Sequence, residues 1–160
     1  EYRKRIAARE DVQVLWQCGS YYFENLKKEL GDELPAHIHL TAFLKRMDLA
    51  YACADIVVAR AGAGTISELC LLGKAAILIP SPNVAEDHQT KNALALVNKE
   101  AAVMIKDAEG VEKLGDTLEV LLQDEEKADG LRKNIAALAV HDSDVKIARE
   151  ILDVMAAHKS

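Results

Sequence analysis

Hydrophobic and polar positions fall in blocks whose period changes along the chain. Residues 12–16 (Val12, Gln13, Val14, Leu15, Trp16) read as a strand, broken by Cys18-Gly19-Ser20. Residues 22–30 carry a helical pattern that stops at Gly31, a residue suited to closing a helix in a left-handed turn. Residues 38–41 form a short strand and 45–53 a short helix. Residues 55–59 pass into a continuous apolar run, the mark of a strand covered on both faces. A helix over 65–72 stops at Gly73, and a second buried strand over 75–79 stops at Pro80 and Pro82. A helix over 89–99 and a last strand over 102–105 follow. Three apolar stripes at helical spacing complete the pattern. They are Val111, Leu114, Leu118, Leu121 and Leu122; then Leu131, Ile135 and Leu138; then Val145, Ala148, Ile151, Leu152 and Met155.

Strands alternating with helices predict an α/β fold, a Rossmann-like parallel sheet with helices on both faces. A length of 160 residues suits a single domain with its own core. Ligands of such sheets bind outside the carboxyl ends of the strands, so the loops after Thr41, Ala59 and Ile79 are the expected places for function.

Composition narrows the classes. A formal net charge of −6 argues against a nucleic-acid partner, which needs clustered positive charge. The run Arg3-Lys4-Arg5 reads either as a local phosphate or lipid contact or as a solvated helix face. Cys18, Cys53 and Cys70 lie far apart without paired spacing, as reduced thiols of a cytoplasmic protein would. No apolar run is long enough to cross a bilayer, and no signal peptide is visible. The start at Glu1 without methionine is expected of a fragment. His37, His39, His141 and His158 show no metal-ligand pattern, and Ser67 lacks a nucleophile elbow. His88 reads as a structural histidine or as an acid or base without an assignable partner. No metal, no cofactor and no catalytic side chain are expected here.

Gly62 and Gly64 stand between a buried strand and a helix. Glycines there permit positive φ and close approach of a ligand to the backbone. The free N–H groups of the helix start, with its dipole, make an anion site suited to a diphosphate. Thr65-Ile66-Ser67-Glu68 supports two readings. One is a capping box, with Thr65 capping the helix and Glu68 reaching back. The other places Glu68 at a cleft rim, where two acceptor oxygens take hydrogen bonds from vicinal sugar hydroxyls. After Ile79, the polar stretch Glu86-Asp87-His88-Gln89 leads into a helix carrying Asn92. Gln89 and Asn92 are three apart on one helix face, and amides read sugar hydroxyls well. The plainer reading has Asp87 capping that helix and both amides solvated.

Three runs together resemble the MurG family of glycosyltransferases. Residues 60–68, Arg60-Ala61-Gly62-Ala63-Gly64-Thr65-Ile66-Ser67-Glu68, look like the family's R-[SA]-G-A-x-T-x-[SA]-E. Asp87-His88-Gln89-Thr90-Lys91-Asn92-Ala93 looks like D-x-Q-x-x-N-A. Phe43-Leu44 with Met47, then Tyr51-Ala52-Cys53-Ala54-Asp55, look like F-[IL]-x-x-M…Y-x-x-A-D. The resemblance implies a GT-B glycosyltransferase, of which residues 1–160 are most of the C-terminal, donor-binding half. It implies inverting transfer of N-acetylglucosamine from UDP-N-acetylglucosamine to a lipid-linked muramyl-pentapeptide in peptidoglycan synthesis. By position, Leu44 would meet uracil through its backbone, with Phe43 shaping the pocket. Ala63, Gly64 and Thr65 would hold the diphosphate, Glu68 the ribose, and Gln89 with Asn92 the N-acetylglucosamine. Arg60 lies near the donor.

Two departures stand out. Gly64 replaces a residue that is often larger in the family, which implies a looser loop. The family's first glycine-rich loop, G-G-S-x-G, would precede Glu1 together with a mid-sheet strand. So would the acceptor domain, with its general base and its membrane-contact surface. The chain alone is therefore expected to bind the donor without turnover, and the parent enzyme to sit on the inner face of the cell membrane. Two other functions fit the same residues: a UDP-sugar-dependent glycolipid transferase, and a non-catalytic UDP-sugar-binding subunit of a split transferase. An NAD-binding Rossmann domain is disfavoured, because its glycine loop would follow the first strand.

Overall fold

A computed structural model describes residues 8–31 and 34–158. The basic run Arg3-Lys4-Arg5 lies outside them. In chain order the elements are β1 (Val14–Gln17), α1 (Ser20–Leu30), β2 (Ile38–Thr41), α2 (Met47–Cys53), β3 (Ile56–Ala59), α3 (Ala63–Leu72), β4 (Ala75–Leu78), α4 (His88–Val97), β5 (Val103–Met104), α5 (Gly110–Gln123), α6 (Glu125–Ala136) and α7 (Ser143–Ala157). Short 3₁₀ turns over Ala85–Asp87 and Asp107–Glu109 precede α4 and α5.

β4 explains the core. Its four residues are fully buried, and their alternation sends side chains to opposite faces of the sheet. Ala76 and Leu78 meet Tyr51, Leu69, Ala93, Leu96 and Ile135 on one face. Ala75 and Ile77 meet Ile105, Leu121 and Leu131 on the other. Helices thus cover both faces, as continuous apolar strands require.

All strand pairs are parallel, as expected, but the sheet comes in two pieces. β1 pairs with β2, and β3, β4 and β5 form a separate sheet in that order. Among the described residues β1 and β3 each pair on one side only. Leu15 (50% exposed), Trp16 (39%) and Val58 (42%) are correspondingly open. The β1–β2 unit contributes no strand residue to either buried cluster.

Boundaries moved where hydrogen bonds decide them. β1 starts at Val14 rather than Val12, because the Val12 N–H turns back to Arg9 O while the Val14 N–H joins His37 O. Gly31 closes α1 with positive φ, and Gly73 closes α3 in the left-handed region at φ 60. α3 starts at Ala63, two residues earlier than its apolar pattern suggested.

Candidate functional site

The loop from Arg60 to Gly62 leaves β3 at its carboxyl end and enters α3 directly. Gly62 is the N-cap residue, and no side chain caps this helix. The first bond back along α3 runs from Ile66 N–H to Gly62 O, at 3.0 Å. The N–H groups of Ala63, Gly64 and Thr65 are therefore the ones the helix leaves unpaired at its positive end. They belong to the three residues expected to meet a diphosphate.

This geometry removes the capping box. Thr65 lies inside the first turn of α3 instead of capping it. Glu68, exposed one turn on, accepts a hydrogen bond from the Tyr51 hydroxyl at 3.0 Å through Oε2. Tyr51 hangs from α2 into the core and is 8% exposed. Burial, and then the bond to Glu68, push its phenol up to about 12. The glycines also act differently from expectation. Gly62 has φ −69, and positive φ is confined, among glycines of the described residues, to Gly19, Gly31 and Gly73. A Cβ on Gly64 would meet nothing within 4 Å, so that position is open rather than strained.

The other expected residues divide. Arg60 donates through Nη1 to Ile79 O (3.2 Å), to Pro80 O (3.4 Å) and to Asp107, tying the carboxyl ends of β3, β4 and β5 together. Asn92 on α4 donates to Ala61 O at 3.1 Å, fixing the buried bend before Gly62. Gln89 accepts the Ser81 N–H at 2.9 Å through Oε1, and its amino group makes no hydrogen bond among the described residues. Two amides expected to face a sugar are thus partly spent on shaping the loops after β3 and β4. Asp87 starts α4 in the left-handed region without capping a backbone N–H; it accepts from the Thr90 hydroxyl instead, at 2.6 Å. His88 Nδ1 lies 2.8 Å from Ala85 O.

Phe43 and Leu44 follow β2, on the smaller sheet. Phe43 is 68% exposed, a bare aromatic side chain just past the carboxyl end of β2. The Leu44 N–H already donates to Gln17 Oε1 at 2.9 Å. Gln17 and Tyr51 as a Glu68 partner were not singled out from the sequence. Neither contact has a local signature, since each joins elements 27 and 17 residues apart. Among the described residues no cluster of His, Cys, Asp or Glu could hold a metal ion. No described helix is long and apolar enough to cross a membrane.

Fold and loops together define a parallel α/β domain of the GT-B glycosyltransferase type. The crystal structure of Acinetobacter baumannii MurG superimposes on it with a TM-score of 0.77, at 24% identity, over 95% of this chain and 45% of that one. The chain belongs to glycosyltransferase family 28, matching the model of its C-terminal domain over residues 1–149. Two relatives bear the name UDP-N-acetylglucosamine--N-acetylmuramyl-(pentapeptide) pyrophosphoryl-undecaprenol N-acetylglucosamine transferase. That of Bacteroides thetaiotaomicron is 48% identical over 95% of this chain and 41% of its own length. That of Bacteroides fragilis is 52% identical over 92% of this chain and 39% of its own. The chain therefore spans about two fifths of these relatives.

Proposed function

We propose that this chain is the donor-binding domain of an enzyme that moves N-acetylglucosamine from UDP-N-acetylglucosamine onto the lipid-linked muramyl-pentapeptide named in its relatives. The observation that carries the reading is the start of α3. Three unpaired N–H groups at Ala63, Gly64 and Thr65 sit at the carboxyl end of β3, with the Glu68 carboxylate a turn away. The helix start suits a diphosphate and the carboxylate suits a ribose diol. Leu44 and Phe43 would take the uracil, whose carbonyl oxygen must compete with Gln17 Oε1 for the Leu44 N–H. The Gln89 amino group, which has no hydrogen-bond partner among the described residues, would donate to a sugar hydroxyl. Arg60 and Asn92 serve the site by holding its loops in place.

In the transfer, the acceptor hydroxyl attacks the anomeric carbon as the bond to the β-phosphate oxygen breaks. Negative charge grows on the departing diphosphate. Backbone N–H groups fixed in advance at α3 stabilise that charge without reorganising, the kind of electrostatic contribution that is usually largest. The acceptor and its base belong to another part of the parent protein, which meets its lipid substrate at the inner membrane surface without needing a span in this domain.

Calorimetric titration of the chain with UDP-N-acetylglucosamine, UDP-glucose and NAD tests this. The first should bind best, and Glu68→Ala should lose about 1–3 kcal/mol of its binding by removing the ribose acceptor. Preference for NAD, or unchanged binding by Glu68→Ala, would overturn the reading.

A further inference from the structure

The Tyr51–Glu68 contact has features that packing alone does not call for. Glu68 is an exposed side chain on a helix, and such a carboxylate ordinarily samples several rotamers. Here one of its oxygens is held by a hydroxyl that cannot itself move, because the Tyr51 ring is packed in the core with Leu69, Ala76 and Ile135. The contact joins α2 to α3, the helix whose start bears the unpaired N–H groups. Tyr51 engages Oε2 only, so Oε1 keeps its acceptor capacity.

We infer that Tyr51 is a positioning residue for nucleotide recognition: it fixes the Glu68 carboxylate in one orientation, so that the free oxygen reads the ribose hydroxyls of the donor. The inference rests on the donor-site reading above. Its physical basis is pre-organisation. A carboxylate already held in its binding rotamer loses less freedom when the ribose arrives than one that must be frozen by the ligand. A neutral phenol donates to the carboxylate and takes up only one of its two oxygens, leaving the other to accept from the diol. The neutral state is the one the site favours, since burial holds the Tyr51 proton on.

The test compares UDP with 2′,3′-dideoxyuridine diphosphate, which lacks both ribose hydroxyls, on the whole chain and on Tyr51→Phe, Glu68→Ala and the double variant. Tyr51→Phe removes one oxygen and keeps the ring in the core; Glu68 stays hydrated, so the variant folds, as a thermal melt checks. The wild type should prefer UDP. Tyr51→Phe should weaken UDP on the order of 3–10-fold, the worth of one oriented hydrogen bond, and leave the dideoxy compound unchanged. Added to Glu68→Ala it should weaken UDP no further, the non-additivity expected of residues acting through one contact. Equal weakening of both ligands would mark Tyr51 as merely structural and overturn the inference, as would Tyr51→Phe binding UDP like the wild type. Those results leave Glu68 as the ribose acceptor intact. A wild type blind to the ribose hydroxyls would instead bring down the donor-site reading, and this inference with it.

Discussion

The start of α3 at Ala63 separates the two readings that Glu68 admits: with Thr65 inside the first turn no capping box forms, and the carboxylate accepts from the Tyr51 hydroxyl. The same contact has a pH signature. The Tyr51 phenol lies at about 12 in the fold against an ordinary 10.0, so folding favours its protonated form. Its contribution to stability is complete below pH 10 and is lost as pH rises from about 10 through 12. Ultraviolet titration of the four tyrosines should show a late phase near pH 12 that vanishes in Tyr51→Phe. Gly64 offers a second residue-scale check. Its backbone is helical and its Cβ position is empty. Gly64→Ala should therefore raise stability by about 0.5–1 kcal/mol in a denaturant melt, since glycine is the poorer helix former. Gly73→Ala should do the opposite, because its φ of +60 strains a side chain and the new Cβ would lie 3.3 Å from that of Ala136.

At the scale of elements, β4 and β1 are opposites. β4 is buried along its whole length and paired on both sides, while β1 is mostly exposed and, among the described residues, paired on one. Amide hydrogen exchange should follow that contrast. Ile77 and Leu78 should exchange only near global unfolding, while β1 amides exchange through local opening. Equal protection of the two strands would contradict the division of the sheet into two pieces. Leu69 on α3 ties the site to this core: it is fully buried against the β4 face. Leu69→Ala should cost about 2–5 kcal/mol in chemical denaturation, through lost burial and the cavity left behind. The Arg60–Asp107 pair is partly exposed and holds loops rather than core, so Arg60→Ala should cost about 1 kcal/mol or less.

Across the whole molecule, the buried clusters gather around β4 and its neighbours, and α7 adds no buried residue to them. Every residue of α7 is exposed, and Ile147, Ile151, Leu152 and Met155 present an open apolar stripe. A double variant Ile147→Lys, Ile151→Lys should therefore melt like the wild type within about 0.5 kcal/mol, the usual range for surface changes. A loss on the scale of Leu69→Ala would show that the stripe is covered in solution. What the sequence determined by itself was the element order, the parallel α/β class and the helices' apolar stripes, because period and turn residues act over a few neighbouring positions. It also located the Arg60–Glu68 and Asp87–Ala93 motifs, since motif spacing is local too. Tertiary structure alone decided that α3 begins at Ala63, that Glu68 answers to Tyr51, and that Arg60 and Asn92 brace loops. It also decided that the sheet stands in two pieces. The helix start is marked by the Ile66 N–H to Gly62 O bond; the others depend on hydrogen bonds between segments distant along the chain, and such pairings are fixed only when the chain has folded and brought their partners together.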